Sequence, residues 1–284
     1  MTEILLQGVL LGGLYALFAL GQSLMFGVMR LTNTAQGDFI ILGGFFAISL
    51  VAATGLSPAI AILLIAPTAF VFGYLLQRFV LNGTLGKDPL PSLVVTFGLA
   101  IVIQNLLLEI YSADPRSLDA GSIALDSIAF GSSTVGTLPL LTLTVALLAT
   151  MGLQALFSFT PLGRSFRAVS DDSEAARLMG IRPAIVYAQA TGLAFVLIAI
   201  AGTLQAMRTT VAPSDGPLLL LFAFEAVIIG GMGSFWGTLL GALLLGVAQQ
   251  IGFRFDPGWG IWFGHLTFLT VLVVRPQGMF PKTR

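Results

Sequence analysis

The 284-residue chain is 56% hydrophobic and only 9% charged, where an ordinary soluble domain carries roughly a quarter charged residues, so it has too little polar surface to solvate a globule. Its 13 basic and 13 acidic residues cancel, which excludes the basic balance that nucleic-acid binding needs, and the absence of cysteine removes disulfides, thiolate catalysis and cysteine metal sites together. The composition predicts an all-α integral membrane protein.

A membrane-spanning helix needs about 20 mostly apolar residues. Such runs occupy 4–28, 36–54, 58–81, 91–111, 138–160, 185–207, 236–253 and 259–274, with a shorter one at 217–231. They predict a polytopic bundle of eight or nine transmembrane helices within one membrane domain, residues 1–284. The first run follows Met1, Thr2 and Glu3 with no basic residue, so it reads as a membrane helix and not as a cleaved signal. Gly and Pro punctuate the breaks, as in Thr54-Gly55-Leu56-Ser57-Pro58 and Pro213-Ser214-Asp215-Gly216-Pro217. The longest polar segments are about 112–137 and about 161–184. Asp114, Asp119 and Asp126 lack calcium-loop spacing, so 112–137 reads as a solvated loop. Trp236, Trp259 and Trp262 fall near helix ends, where aromatic belts anchor a bundle.

Lysine and arginine favour cytoplasmic loops. With 161–184 inside and crossings alternating, Arg30, Arg78, Lys87, Arg164, Arg167, Arg177, Arg182, Arg275, Lys282 and Arg284 share the inner side, and only Arg116, Arg208 and Arg254 lie outside. The N-terminus is then outside and the C-terminus cytoplasmic. That parity requires 217–231 to cross; a re-entrant segment there would alter it.

Much of the glycine lies inside the apolar runs. Gly8 and Gly12, and likewise Gly233, Gly237 and Gly241, are four apart, which sets small residues on one helical stripe and lets backbones approach closely. In Gly230-Gly231-Met232-Gly233-Ser234 the consecutive glycines predict a helix break, as a kink or a re-entrant turn.

The segment Ser170-Asp171-Asp172-Ser173-Glu174-Ala175-Ala176-Arg177-Leu178-Met179-Gly180-Ile181-Arg182-Pro183 predicts one short helix on the cytoplasmic face. Asp171 supplies the cap, Glu174 completes a capping-box-like pair, and Gly180 with Pro183 ends it. Ala175, Ala176, Leu178 and Met179 form its apolar side. A small capped helix in the most charged loop is presented to a soluble partner, or less favourably to lipid headgroups.

The spacing Glu174-Ala175-Ala176-x-x-x-Gly180 resembles the loop by which permeases of ATP-driven importers dock their ATPases. Asn33-Thr34-Ala35-Gln36-Gly37-Asp38, Thr160-Pro161-Leu162-Gly163-Arg164, Phe224-Glu225-Ala226 through Gly233-Ser234, and Arg275-Pro276-Gln277-Gly278-Met279-Phe280 resemble, in order, the branched-chain amino acid permease family of ABC transporters. Urea and amide permeases are close relatives. Members usually carry an aromatic residue where this chain has Thr34, so the resemblance leaves open branched-chain amino acids, other amino acids, urea and amides. It implies a permease subunit in the bacterial inner membrane that pairs with a second permease, identical or homologous. ATPase subunits would bind beneath and a periplasmic or lipid-anchored binding protein would deliver substrate from outside. It also implies that Asp171, Glu174, Ala175, Ala176, Arg177, Leu178 and Gly180 couple to the ATPases. The chain has no Gly-x4-Gly-Lys-Ser/Thr loop, so it reads as a transport subunit and not an enzyme, energised by its partners. No cofactor and no metal is implied.

Polar residues inside a bilayer are functional candidates because each is costly without a partner. Gln22, Asn33, Gln36, Asp38, Thr96, Asn105 and Glu225 form the candidate pathway set. Glu225 has three readings: lining the pathway, pairing with Arg208, or standing as a protonated structural carboxyl. Asp38 either caps the second helix near Arg30 or takes part in transport. The single histidine, His265, reads as a helix-packing residue among Trp262, Phe263, Leu266 and Phe268. The rival from another class is a self-sufficient secondary transporter or small-solute channel with Glu225 and Asp38 as ion sites. An intramembrane enzyme lacks any Ser/His pair, aspartate dyad or His-Glu-x-x-His constellation.

Overall fold

A computed structural model describes residues 2–86, 88–121, 123, 126–130 and 133–280. Lys87, Lys282 and Arg284, assigned above to the inner side, lie outside the described residues. Eleven α-helices organise the described chain: α1 (Thr2–Met29), α2 (Gln36–Thr54), α3 (Pro58–Phe79), α4 (Leu90–Tyr111), α5 (Thr137–Phe159), α6 (Pro161–Asp171), α7 (Ser173–Leu178), α8 (Pro183–Arg208), α9 (Gly216–Gly230), α10 (Phe235–Phe255) and α11 (Trp259–Val274). Eight segments are long and apolar enough to cross a membrane, the one containing α9 starting at Pro213; α11 is a shorter apolar helix. The sequence punctuation acts as written. Gly55 takes φ +69° just past α2 and returns its N–H to the Val51 carbonyl, a left-handed stop that glycine makes without a Cβ penalty.

The centre of the bundle is α1, which packs against α5, α8, α9 and α10. Its contact with α10 is backbone on backbone: a Cβ added at Gly8 would lie 2.6 Å from the Val247 Cα, and one at Gly12 would lie 2.6 Å from the Leu243 Cα. Gly230, Gly237 and Gly241 seal α9 to α10 in the same way, each with the other helix's backbone where a Cβ would go. In lipid there is no hydrophobic exclusion between helices, so close van der Waals approach supplies the association. The helix break expected at 230–234 is present, as a tight reversal between two antiparallel helices. Gly231 and Gly233 hold φ of +101° and +83°.

Three hydrogen-bonded junctions and one close glycine contact gather the same end of the bundle. Ser170 on α6 reaches the Gly27 carbonyl of α1 at 2.7 Å, Asn82 reaches the Ala184 carbonyl at 3.1 Å, and a Cβ at Gly27 would meet Gly233 at 3.2 Å. The tail after α11 folds back so that the N–H groups of Met279 and Phe280 donate to the Ile229 and Gly230 carbonyls at 2.8 and 3.0 Å. Arg30, Arg78, Arg164, Arg167, Arg177, Arg182 and Arg275 therefore share one end of the bundle, the basic end. At the other end Arg116 and Val211 form an isolated antiparallel bridge.

Two segments read as loops carry structure. Within 112–137, β1 (Ser127–Phe130) and β2 (Ser133–Gly136) form an antiparallel hairpin with Ser127 opposite Gly136 and Phe130 opposite Ser133. The preceding Leu118 and Ala120 are buried in the bundle, so this segment is anchored and not simply solvated. Within 161–184 there are two helices where one was predicted. α6 is amphipathic, turning Gly163, Phe166 and Val169 inward.

Candidate functional site

Arg30 stops α1 with a φ of +53°, a left-handed conformation that is rare for a residue with a Cβ. The chain then turns back into the bundle. Asn33 Oδ1 accepts from the Ala35 N–H at 3.1 Å, and the Gln36 side-chain amide donates to the Phe18 carbonyl at 3.1 Å. Phe18 lies about 16 Å of helix before Met29, at ~1.5 Å per residue, so α2 starts inside the bundle and not at its edge. Thr34 and Thr96 hydroxyls pair at 2.8 Å, which joins this turn to α4. Gln22, Asn33, Gln36 and Thr96 are all fully or almost fully buried, and Gln22 Oε1, Asn33 Nδ2 and Gln36 Oε1 have no hydrogen-bond partner.

Asp38 does not cap the second helix beside Arg30, as one reading of the sequence has it. The residue flanking α2 is Ala35, with no side-chain cap, and no ion pair joins Asp38 to Arg30. The carboxylate instead meets Gly216, the first residue of α9: a Cβ there would overlap Asp38 Oδ1, and a Cβ at Gly37 would overlap the Gly216 carbonyl. The amino ends of α2 and α9 thus meet within the bundle. An acidic group at a helix N-terminus is favoured by the helix dipole.

Glu225 is buried, and its partner is His265, not Arg208: Nδ1 lies 2.5 Å from Oε1. The histidine is satisfied by an acid forty residues away instead of by its aromatic neighbours. Nearby, the Tyr15 hydroxyl donates to Gln249 Oε1 at 2.6 Å. Tyr15 and Gln249 were absent from the sequence set, although a glutamine inside the apolar run 236–253 carries the same intramembrane signal as Gln22. Asn105 stands apart from every other candidate. It is exposed on α4 and spends its amide on the Ile101 carbonyl one turn back at 2.8 Å.

At the basic end an open cleft of about 500 Å³ lies between the end of α1 and α7, lined by Arg30, Leu85, Ser170, Asp171, Glu174 and Arg177. A second cleft of about 450 Å³ shares Met29, Arg30, Leu85 and Gly86 with it and reaches Asp88 and Ser92. One helical turn beyond Ser92 is Thr96, so a row of polar side chains runs from this end to the buried amides. A separate pocket between α2, α3 and α8, lined by Phe39, Phe46, Phe72 and Phe195, offers almost no polar surface.

α7 is capped by Asp172, not by Asp171, which closes α6. Asp172 Oδ1 accepts from the Glu174 and Ala175 N–H groups at 2.8 and 3.0 Å. At the other end Gly180, with φ +84°, donates to the Arg177 carbonyl and Ile181 to the Ala176 carbonyl, the two bonds of a Schellman stop. Only Ala176 of the predicted apolar side is buried. Leu178 and Met179 are 89% and 84% exposed, so two large apolar side chains project from the tip. The base is fixed: Phe166 and Val169 are buried, Arg167 donates to the Phe157 carbonyl, and Ser170 holds the last turns of α1.

A family model described as the permease component of branched-chain amino acid transport systems matches residues 4–274. The high-affinity branched-chain amino acid transport system permease protein BraD of Pseudomonas aeruginosa is 31% identical, over 98% of this chain and 95% of its own length. LivH of Escherichia coli, of the same description, is 26% identical over 97% of this chain and 94% of its own. Among solved structures, PsaBC from Streptococcus pneumoniae in complex with Fab superposes with a TM-score of 0.53 at 12% identity, covering 98% of this chain and 94% of that one, which is a likeness of fold.

Proposed function

The chain belongs to the permease family of branched-chain amino acid transport systems, and on that premise we propose that it is one membrane subunit of an ATP-driven importer for branched-chain or related small amino acids. The basic end faces the cytoplasm, because positively charged segments are retained there. The N-terminus is then outside and the C-terminus inside, in the inner membrane of a bacterium. Asp171 to Gly180 bind ATPase subunits, a second permease completes the pathway, and a binding protein docks on the side of segment 112–137. The chain itself hydrolyses nothing.

The observation that carries this reading is the tip of α7. Leu178 and Met179 project from a helix capped at both ends and anchored through α6 to α1, so a push on that tip reaches the turn at Arg30 and the buried amides beyond it. Asn33, Gln36, Asp38 and Thr96, with Gln22 beside them, line the inner part of the pathway.

The test uses the complex reconstituted in proteoliposomes with its ATPases and binding protein. Glu174→Lys and Gly180→Val assemble normally, keep basal ATP hydrolysis, and lose its stimulation by loaded binding protein at least tenfold. Full stimulation in both variants would remove α7 as the coupling element. Uptake by the chain alone, without ATPases, would replace the importer with a self-sufficient carrier.

A further inference from the structure

Five helices bring polar side chains together between the middle of the bundle and the end remote from the coupling helices, and three buried atoms there are left without a protein partner: Arg208 Nη1, Gln249 Nε2 and Glu225 Oε2. Tyr15 stands among them. Its hydroxyl donates to Gln249 Oε1, and its ring lies 4.8 Å from that of Phe222. It is within electrostatic reach of both Arg208 and Glu225. One oxygen of Glu225, Oε1, is occupied by His265, and the Gln249 side chain lies against Gly264, where an added Cβ would crowd both Cγ and Nε2 at 2.9 Å, so the space beside Nε2 exists only because that residue is glycine. Arg208 has no acid. Among the described residues the only ion pair is that of His265 with Glu225.

Arg208 is half-buried, but its Nη1 is withdrawn from water without an anion, which is costly, and so is an unpaired carboxylate oxygen. The unmet needs here are of opposite kinds. Arg208 and Gln249 offer donors, and Glu225 offers an acceptor. No other candidate has this character: the unpaired atoms of Gln22, Asn33 and Gln36 belong to neutral amides, and the pocket of four phenylalanines is almost wholly apolar. A free α-amino acid carries a carboxylate and an ammonium group on one carbon, and both must exchange water for protein when it enters the bilayer.

We propose that Arg208 and Gln249 take the carboxylate, and Glu225 the ammonium, of an amino acid on its way through this subunit, with Tyr15 and Phe222 forming the wall between them. The proposal rests on the importer reading above and names the part of the substrate that the membrane subunit recognises. His265 is then a positioning residue, which holds one carboxylate oxygen of Glu225 and leaves the other free. Arg208 suits the role because its planar fork matches a carboxylate.

The test measures binding to the permease–ATPase complex in nanodiscs without binding protein, using leucine, leucinamide, which lacks the carboxylate, and 4-methylpentanoate, which lacks the amine. Wild type binds leucine at least tenfold more tightly than either analogue. Arg208→Gln weakens leucine at least tenfold and leaves leucinamide within twofold; Glu225→Gln does the same with 4-methylpentanoate as the unaffected ligand. Should Arg208→Gln fail to assemble, Arg208→Lys keeps the charge without the fork and carries the same selectivity shift at three- to tenfold. The assignment falls if the wild type binds no leucine, if the variants bind as it does, or if all three ligands weaken equally, which would mark a merely structural cluster. Leucine uptake by wild-type proteoliposomes with binding protein is measured in parallel. Uptake that persists when the assignment falls leaves the importer reading standing, whereas its absence removes that reading itself.

Discussion

The centre and the rim of this bundle are built on opposite rules. At α1, α9 and α10 the helices touch through glycine, with peptide groups occupying the space of missing side chains. At α4 the buried face is thin, only Ser92, Thr96, Ile103 and Leu107, while Val94, Phe97, Val102 and Ile110 point outward, each at least 60% exposed. Hydrophobicity does not distinguish the two, since both are strongly apolar. What differs is side-chain volume. Small residues mark where protein meets protein, and large ones mark where it meets hydrocarbon or another subunit.

Substitutions can break that contrast, beginning with the most severe. Gly37→Leu forces a side chain into the Gly216 carbonyl, and the α2–α9 junction cannot close. A cost of about 3 kcal/mol or more is expected, read as loss of the monodisperse peak after detergent extraction. His265→Phe comes next, since it orphans a buried carboxylate oxygen at about 1–3 kcal/mol. Its melting temperature falls, and adding Glu225→Leu restores most of the loss; a double variant no better than the single would show that the pair is not what His265 contributes. Gly180→Ala meets nothing within 4 Å but imposes a Cβ at φ +84°, which costs about 1–2 kcal/mol. That cost stays local, so proteolysis within 173–182 accelerates while the bundle melts unchanged. Last, Gly98→Ala on α4 has open space around it and gains up to about 1 kcal/mol from helix propensity, a small rise in melting temperature that would turn into a loss if this rim were closely packed.

The membrane helices were legible because length and apolarity are local properties, and their ends follow Gly and Pro. α6 was not, since Arg164, Ser165 and Arg167 give it the look of a polar loop until Phe166 and Val169 are seen to share a buried face. The apolar helices were legible one by one; which side of a helix faces inward was not. Asn105 and Thr96 look alike in sequence, yet one is exposed and the other buried, because only Thr96 lies on the face of α4 that meets the bundle, where it pairs with the hydroxyl of Thr34 sixty-two residues away. The same holds for Glu225. Its cost in the membrane was visible, but its partner is on another helix, and no spacing rule links 225 to 265. Asp172 as cap was missed by one residue, because two adjacent aspartates carry identical capping chemistry and only the course of α6 decides between them.

The return of the segment after α11 to the end of α9 has a consequence for how the protein is made. The Ile229 and Gly230 carbonyls receive their partners from Met279 and Phe280, which leave the ribosome only after α10 and α11 have been synthesised. The last carbonyls of α9 therefore wait for their partners until the segment after α11 has left the ribosome and folded back, so the end of α9 is among the last parts of the bundle to be completed.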